Sequence, residues 1–215
     1  MPRPADPAAL LEFTENAIVE DDAMASARER AADLGVPAVA PAVGAALSVL
    51  AAATGARSVV EVGTGAGISG LWLLSGMRPG GVLTTIDSES EYQSAAKIGF
   101  SAAGVATNRT RLINGHALDV LPRLADETYD LIFVDGEVGD APRYVAEAVR
   151  LLRQGGVVVV NTGVAGARIA DPKVTDDDVL AAREATESIA ADERLLPVVL
   201  PLGGGLVVAA KAYTE

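Results

Sequence analysis

Short runs of β-branched and aliphatic residues recur along this chain, each followed by a stretch at helical spacing. The runs are Ser58–Val62, Val82–Ile86, Thr110–Asn114, Tyr129–Val134 and Val157–Val160. Strands alternating with helices at this interval predict an α/β fold: a parallel, doubly wound sheet with helices on both faces. The unbroken valines of Val157–Val160 suit a strand covered on both faces. The intervening helices are expected at Ile68–Met77, Glu91–Ala103 (closed by Gly104), Ala117–Leu124 and Pro142–Arg153, with Arg78-Pro79-Gly80-Gly81 as a turn. Ahead of the first strand, residues 7–34 read as one amphipathic helix with Leu10, Leu11, Thr14, Ile18 and Val19 on its apolar face. A second helix runs from about Pro41 to Thr54 and stops at Gly55. The tail differs. After a helix over about Asp176–Ala191, Val198–Leu202 and Leu206–Lys211 flank Gly203-Gly204-Gly205, which predicts a hairpin and an antiparallel end to the sheet. With no internal repeat and no linker, residues 1–215 read as one domain carrying a helical extension over about residues 1–35.

Composition narrows the chemistry. Asp and Glu number 29 against 17 Lys and Arg, a formal charge of −12, so neither nucleic acid nor an anionic membrane surface is an expected partner. There is no cysteine, which excludes disulfides, Cys-ligated zinc and thiolate nucleophiles. The single histidine, His116, excludes multi-His metal sites. The first residues lack the apolar run of a signal peptide. Val36–Ala53 is apolar, but Pro37, Pro41 and Gly44 interrupt it, and it is short of the roughly 20 residues that span a bilayer. A cytoplasmic location is the expectation.

Three strand ends carry the candidate chemistry, because ligands of open α/β sheets sit outside the carboxyl ends of the strands. The first is Glu61-Val62-Gly63-Thr64-Gly65-Ala66-Gly67-Ile68-Ser69. Its glycines let backbone approach a ligand, and the following helix aims free N–H groups at an anion. The second is Asp87, about 20 residues on, where a carboxylate can accept from ribose hydroxyls. The third is Asp135. Two ligands fit. Gly65, Gly67 and Gly70 satisfy the dinucleotide pattern, and Asp87 suits NAD. Against this, Glu61 precedes Gly63-x-Gly65-x-Gly67, a form suited to S-adenosylmethionine. That ligand has no pyrophosphate; its carboxylate needs N–H donors and a hydroxyl such as Ser69, and its ammonium needs acidic or carbonyl acceptors. The third possibility is a glycine-rich turn that binds neither.

With these motifs the chain resembles the S-adenosylmethionine-dependent O-methyltransferases of the catechol and caffeoyl-CoA type, in their bacterial branch. The likeness runs from about Pro37 to Lys211. It rests on Val39-x-Pro41-x-x-Gly44, Glu61 to Ser69, Ile86-Asp87, Gly115-His116-Ala117 with Leu121-Pro122, Tyr129 to Asp135, Leu151 to Gly156, and Leu202 to Leu206. The resemblance implies a Rossmann-like, seven-stranded sheet of order 3-2-1-4-5-7-6 with strand 7 antiparallel. It implies methyl transfer to a hydroxyl of a small-molecule acceptor, S-adenosylhomocysteine as product, and a homodimer. Val39, Glu61, Gly63, Thr64, Gly65 and Ser69 would surround the methionine part of the cofactor. Asp87 and Ser88 would lie at the ribose, Gly115, His116 and Ala117 beside the adenine, and Asp135 near the amino group and the transferred methyl. Tyr144 matches a tyrosine that reaches the cofactor; packing on a helix face is the alternative.

The chain also departs from that family. Where it usually reads Asp-Ala-Asp-Lys, this chain has Asp135-Gly136-Glu137-Val138, so Val138 replaces a lysine often treated as a catalytic base. Where it usually reads Asp-Asn, this chain has Asn161-Thr162. Asp135, Asn161 and Thr162 then retain one charged ligand of the three that normally hold a divalent cation, so no functional metal is expected. Asp135 becomes the candidate catalytic residue, with Glu137 and Asp140 as other nearby bases. A protein of the same fold that binds cofactor without turnover is the second reading, and an NAD-dependent oxidoreductase the third. His116 is expected at the adenine edge and Trp72 in the core. Asp176-Asp177-Asp178 is expected to cap a helix. Gly163–Lys173 is either a substrate loop or a connection. Aromatics make up 4% of the chain, so aromatic walls for a flat acceptor are not expected.

Overall fold

The computed structural model of the chain describes residues 6–214. The amphipathic stretch expected as one helix is two: α1, Pro7–Asn16, and α2, Asp22–Asp33. Side-chain capping explains the break. The Asp21 carboxylate accepts from Met24 N at 2.9 Å and starts a new helix, while Arg28 holds Glu20 at 2.6 Å ahead of it. α3, Pro41–Ala53, begins on a proline whose missing N–H costs nothing at that position.

Seven strands follow in one sheet: β1 (Ser58–Val62), β2 (Val82–Asp87), β3 (Thr110–Asn114), β4 (Tyr129–Val134), β5 (Leu152–Asn161), β6 (Leu195–Leu200) and β7 (Leu206–Lys211). Their order is β3-β2-β1-β4-β5-β7-β6, and β7 runs antiparallel to both of its neighbours. This is the arrangement the resemblance implied. The intervening helices are α4 (Ile68–Gly76), α5 (Ser90–Ala102), α6 (Ala117–Val120), α7 (Ala141–Leu151) and α8 (Asp177–Ala191). Alternation along the strands divides the core. Val59, Leu83, Leu131, Phe133, Val157 and Val159 pack with Leu47, Leu73, Trp72 and Phe100 on the face of α2–α5. Val60, Val62, Ile86, Ile132, Val158 and Val160 pack with Tyr144, Ala148 and Ile189 on the face of α6–α8.

Three expected boundaries shift. β5 starts at Leu152, where helix was expected to Arg153, because an irregularity lets Leu152 pair with Tyr129 before Val157 pairs with Leu131. β6 lies earlier than Val198–Leu202; Leu202–Gly204 instead forms a 3₁₀ turn. The helix expected over Ala117–Leu124 ends at Val120 and passes into a 3₁₀ turn. Asp176 occupies the cap position of α8 without a side-chain capping bond; Arg168 takes its carboxylate at 2.8 Å, an ion pair winning over a cap. Among the described residues no helix is long and apolar enough to cross a membrane.

Candidate active site

The chain leaves β1 toward β2 on one side and reaches β4 on the other, so the carboxyl ends of β1 and β4 flank the crevice where such sheets bind ligands. A cavity of about 1220 Å³ opens there. Single-ligand pockets typically occupy roughly 300–1,000 Å³, so this one has room for a cofactor and an acceptor together.

The turn after β1 is built by glycine. Gly63 has φ +92°, and a Cβ there would stand 2.3 Å from the carbonyl oxygen of Asp135. Only glycine lets the β1 loop close against the β4 loop. Gly67, at φ +89°, opens α4 with its free N–H groups beside the cavity. The Asp87 carboxylate braces this turn: Oδ2 accepts from Thr64 N at 2.8 Å and Gly65 N at 3.0 Å, and Oδ1 from Glu89 N at 2.9 Å. Sequence reading assigned Asp87 only to a ribose; the structure adds a structural duty, which occupies both lone pairs of Oδ2 and leaves one on Oδ1 for a ligand.

Behind the turn lies Glu61, fully buried, with neither carboxylate oxygen in a hydrogen bond. Burial pushes its carboxyl up to about 7; the nearby Ser69 and Thr85 hydroxyls pull the other way, and the charges of Asp135 and Asp87 push it further up. Burial also pushes Asp135 up to about 7, opposed by its bond with Asn161. Asn161 Nδ2 donates to Asp135 Oδ1 at 2.8 Å, and Asn161 Oδ1 accepts from Gly163 N at 2.9 Å. A backbone N–H can only donate, so this contact fixes which end of the amide faces Asp135.

Val39, Gly63, Thr64, Gly65, Ser69, Asp87, Ser88, His116, Ala117, Asp135, Tyr144 and Asn161 all line the cavity. Glu61 and Thr162 do not; both are buried in its wall. His116 is exposed at the end of β3, with β2 and β1 between it and Asp135. Tyr144 both packs and lines: it is 5% exposed, and burial with the charges of Asp140 and Glu137 pushes its phenol up to about 12. Trp72 is buried in the core, as expected. Gly163 and Val164 place the start of the Gly163–Lys173 segment at the cavity.

Sequence reading missed Glu15, Glu89 and Tyr92 in the lining. Glu15 reaches from α1 to accept from Gly203 N at 2.7 Å, across 188 residues, and no local motif signals that contact. Among the described residues the lining carboxylates are Glu15, Asp87, Glu89, Asp135, Glu137 and Asp140, and no Lys or Arg joins them. A second hollow, of about 370 Å³, lies at the opposite end of the strands, beside the start of β4 and the end of β7. Its cations are already paired, Arg150 with Asp126 and Glu147, Arg194 with Asp192, and Lys211 with Glu127.

Comparison with known proteins agrees with this geometry. An O-methyltransferase family model matches residues 14–212. A protein of Mycobacterium sp. (strain JLS), provisionally named an O-methyltransferase, is 58% identical over 209 residues, covering 97% of this chain and 95% of the relative. The crystal structure of the O-methyltransferase TomG from Streptomyces achromogenes, in complex with S-adenosylmethionine, superposes with a TM-score of 0.83 at 30% identity, covering 96% of each chain. That of the O-methyltransferase from Bacillus cereus, in complex with S-adenosylhomocysteine, gives 0.84 at 28% identity over 94% of this chain and 97% of that one.

Proposed function

The chain belongs to the family of S-adenosylmethionine-dependent O-methyltransferases, and from that membership we propose that it methylates a hydroxyl oxygen of a small molecule without a divalent cation. The observation that carries this reading is the cavity at the β1–β4 crevice, walled by a glycine turn, a helix N-terminus and six carboxylates, with no Lys or Arg among the described lining residues. Six carboxylates without a Lys or Arg among the described lining residues disfavour a pyrophosphate, which sets aside NAD. It suits a sulfonium nucleoside that carries an ammonium group. A nearby cation favours the charged form of Glu61, a buried carboxylate without a hydrogen-bond partner among the described residues.

The roles follow from position. Ser69 and the free N–H groups of α4 receive the cofactor carboxylate; Gly63, Thr64, Gly65 and Val39 enclose its methionine part, and Glu61 and Asp135 attract its ammonium. Asp87 and Ser88 hold the ribose, Gly115, His116 and Ala117 border the adenine, and Tyr144 packs along the cofactor. When bound, the cofactor supplies an electrophilic methyl on sulfur. The chain's own work is alignment, which can supply roughly 7–11 kcal/mol of barrier reduction. The remaining wall, from Val36–Ala40, Glu137, Asp140 and Gly203-Gly204, faces the acceptor. With no Lys or Arg among its described residues, it disfavours acceptors that bear phosphate or coenzyme A. Asp135 supplies one carboxylate, the fewest Mg²⁺ usually takes, and its neighbour Asn161 turns N–H rather than oxygen toward it, which makes the donor set a poor one.

Calorimetry with S-adenosylhomocysteine and NAD, followed by labelled methyl transfer to a panel of hydroxylated small molecules with and without chelator, tests the proposal. Binding of the first ligand alone and chelator-resistant turnover are expected. Preference for NAD would overturn the cofactor assignment. Turnover abolished by chelator and restored by Mg²⁺ would overturn the metal-free assignment alone.

A further inference from the structure

Asp135 and Asn161 sit at the carboxyl ends of adjacent parallel strands, β4 and β5, and their side chains meet at 2.8 Å. The polarity of this contact is set from outside. Gly163 N donates to Asn161 Oδ1 at 2.9 Å, so the amide NH₂ faces the carboxylate. A cation bridging the two strand ends would need oxygen lone pairs from both sides. The Asn161 side presents N–H, and its single oxygen is already turned back to the backbone. Rotating the amide to offer that oxygen would break the bond from Gly163 and set the NH₂ against another N–H. Thr162 gives no substitute, because its side chain is buried in the wall and a Cβ on Gly205 would stand 2.5 Å from its hydroxyl. One oxygen of Asp135 is thus committed to Asn161. The other makes no hydrogen bond among the described residues and is not sealed off from the cavity that Asp135 lines.

We propose that Asn161 is a positioning residue for methyl transfer: its amide stands where a bridging cation would otherwise tie the two strand ends, and it holds Asp135 as the proton acceptor for the substrate hydroxyl. This rests on the methyltransferase reading above. The step balances. A lone pair of the acceptor oxygen forms the new O–C bond, the C–S bond breaks with its electrons staying on sulfur, and the hydroxyl proton passes to Asp135. Neutral Asn161 tethers the carboxylate without spending its charge, whereas a cation in that place would neutralise it.

Asn161→Asp and Asn161→Leu test this, the first being nearly isosteric and so the safeguard if the second fails to fold. Mn²⁺ titrations followed by electron paramagnetic resonance read the site without turnover. The unsubstituted protein is expected to bind Mn²⁺ no more tightly than millimolar, and N161D at least ten-fold more tightly, since two carboxylates then face each other. In steady-state assays N161L is expected to lose at least ten-fold in kcat, with the acceptor KM and the S-adenosylhomocysteine affinity changing less than three-fold. Micromolar Mn²⁺ binding by the unsubstituted protein, no gain in N161D, or a loss in N161L confined to KM would each overturn the proposal. An unsubstituted protein that binds no S-adenosylhomocysteine would instead overturn the functional reading on which it rests.

Discussion

At the residue scale the site is governed by two acids, Glu61 fully buried and Asp135 half-buried, whose ionisation is delayed to near neutral pH. Glu61 and Asp135 ordinarily titrate at 4.5 and 3.8 and are both pushed up to about 7, burial being the main cause. Folded protein therefore retains protons that unfolded protein has released. Their contribution to stability is fully present below about pH 4 and is lost as the pH rises through about 7. For Glu61 the loss is roughly 3 kcal/mol, at about 1.4 kcal/mol per pK unit. Urea unfolding at pH 5 and pH 8 checks this against Glu61→Gln: the unsubstituted protein should lose stability relative to that variant as pH rises, and S-adenosylhomocysteine should shrink the difference. Parallel pH dependences would remove Glu61 from this account. Glu61, Ser69 and Asp87 were legible in the sequence because they belong to one turn and the strand beside it. The orientation of the Asn161 amide was not, because it depends on a partner from another strand end.

At the element scale, helices α3 and α4 approach each other through glycine. A Cβ on Gly44 would stand 2.2 Å from the Trp72 ring, and one on Gly76 would stand 2.0 Å from the Ser48 carbonyl oxygen. Helix propensity alone would make Gly76→Ala stabilising by up to about 1 kcal/mol. Packing reverses the sign, because a backbone carbonyl cannot rotate away as a side chain can. Gly76→Ala is therefore expected to destabilise by about 1–3 kcal/mol, as overpacked cores do, and to lower the thermal midpoint. A raised midpoint would mean the helices separate freely. Existence and order of the elements were readable from periodicity; several of their ends were not. The division between α1 and α2 depends on the Asp21 cap and the Arg28–Glu20 pair, and polar side chains in a helical pattern do not announce which of them will cap.

At the scale of the whole molecule, two apolar rows are left without cover among the described residues. Leu10 and Phe13 on α1 are 61% and 70% exposed, and Leu196 and Val198, on one face of the edge strand β6, are 65% and 48% exposed. Exposed edges and apolar patches of this kind favour association. Light scattering behind size exclusion is expected to give twice the chain mass, and Leu196→Lys with Val198→Lys to give the monomer; a monomer without substitution at micromolar concentration would refute self-association. By itself the sequence determined the alternation of strands and helices, the glycine turn after β1 and the acid ending β2. Each of these follows from local sterics and short-range periodicity, which neighbouring residues enforce. Only the tertiary structure decided which polar groups meet. Asn161 finds Asp135 across 26 residues, Glu15 finds Gly203 across 188, and Glu61 is sealed away with no partner. These outcomes depend on which groups lose water together when distant segments close, and a linear pattern carries no record of that.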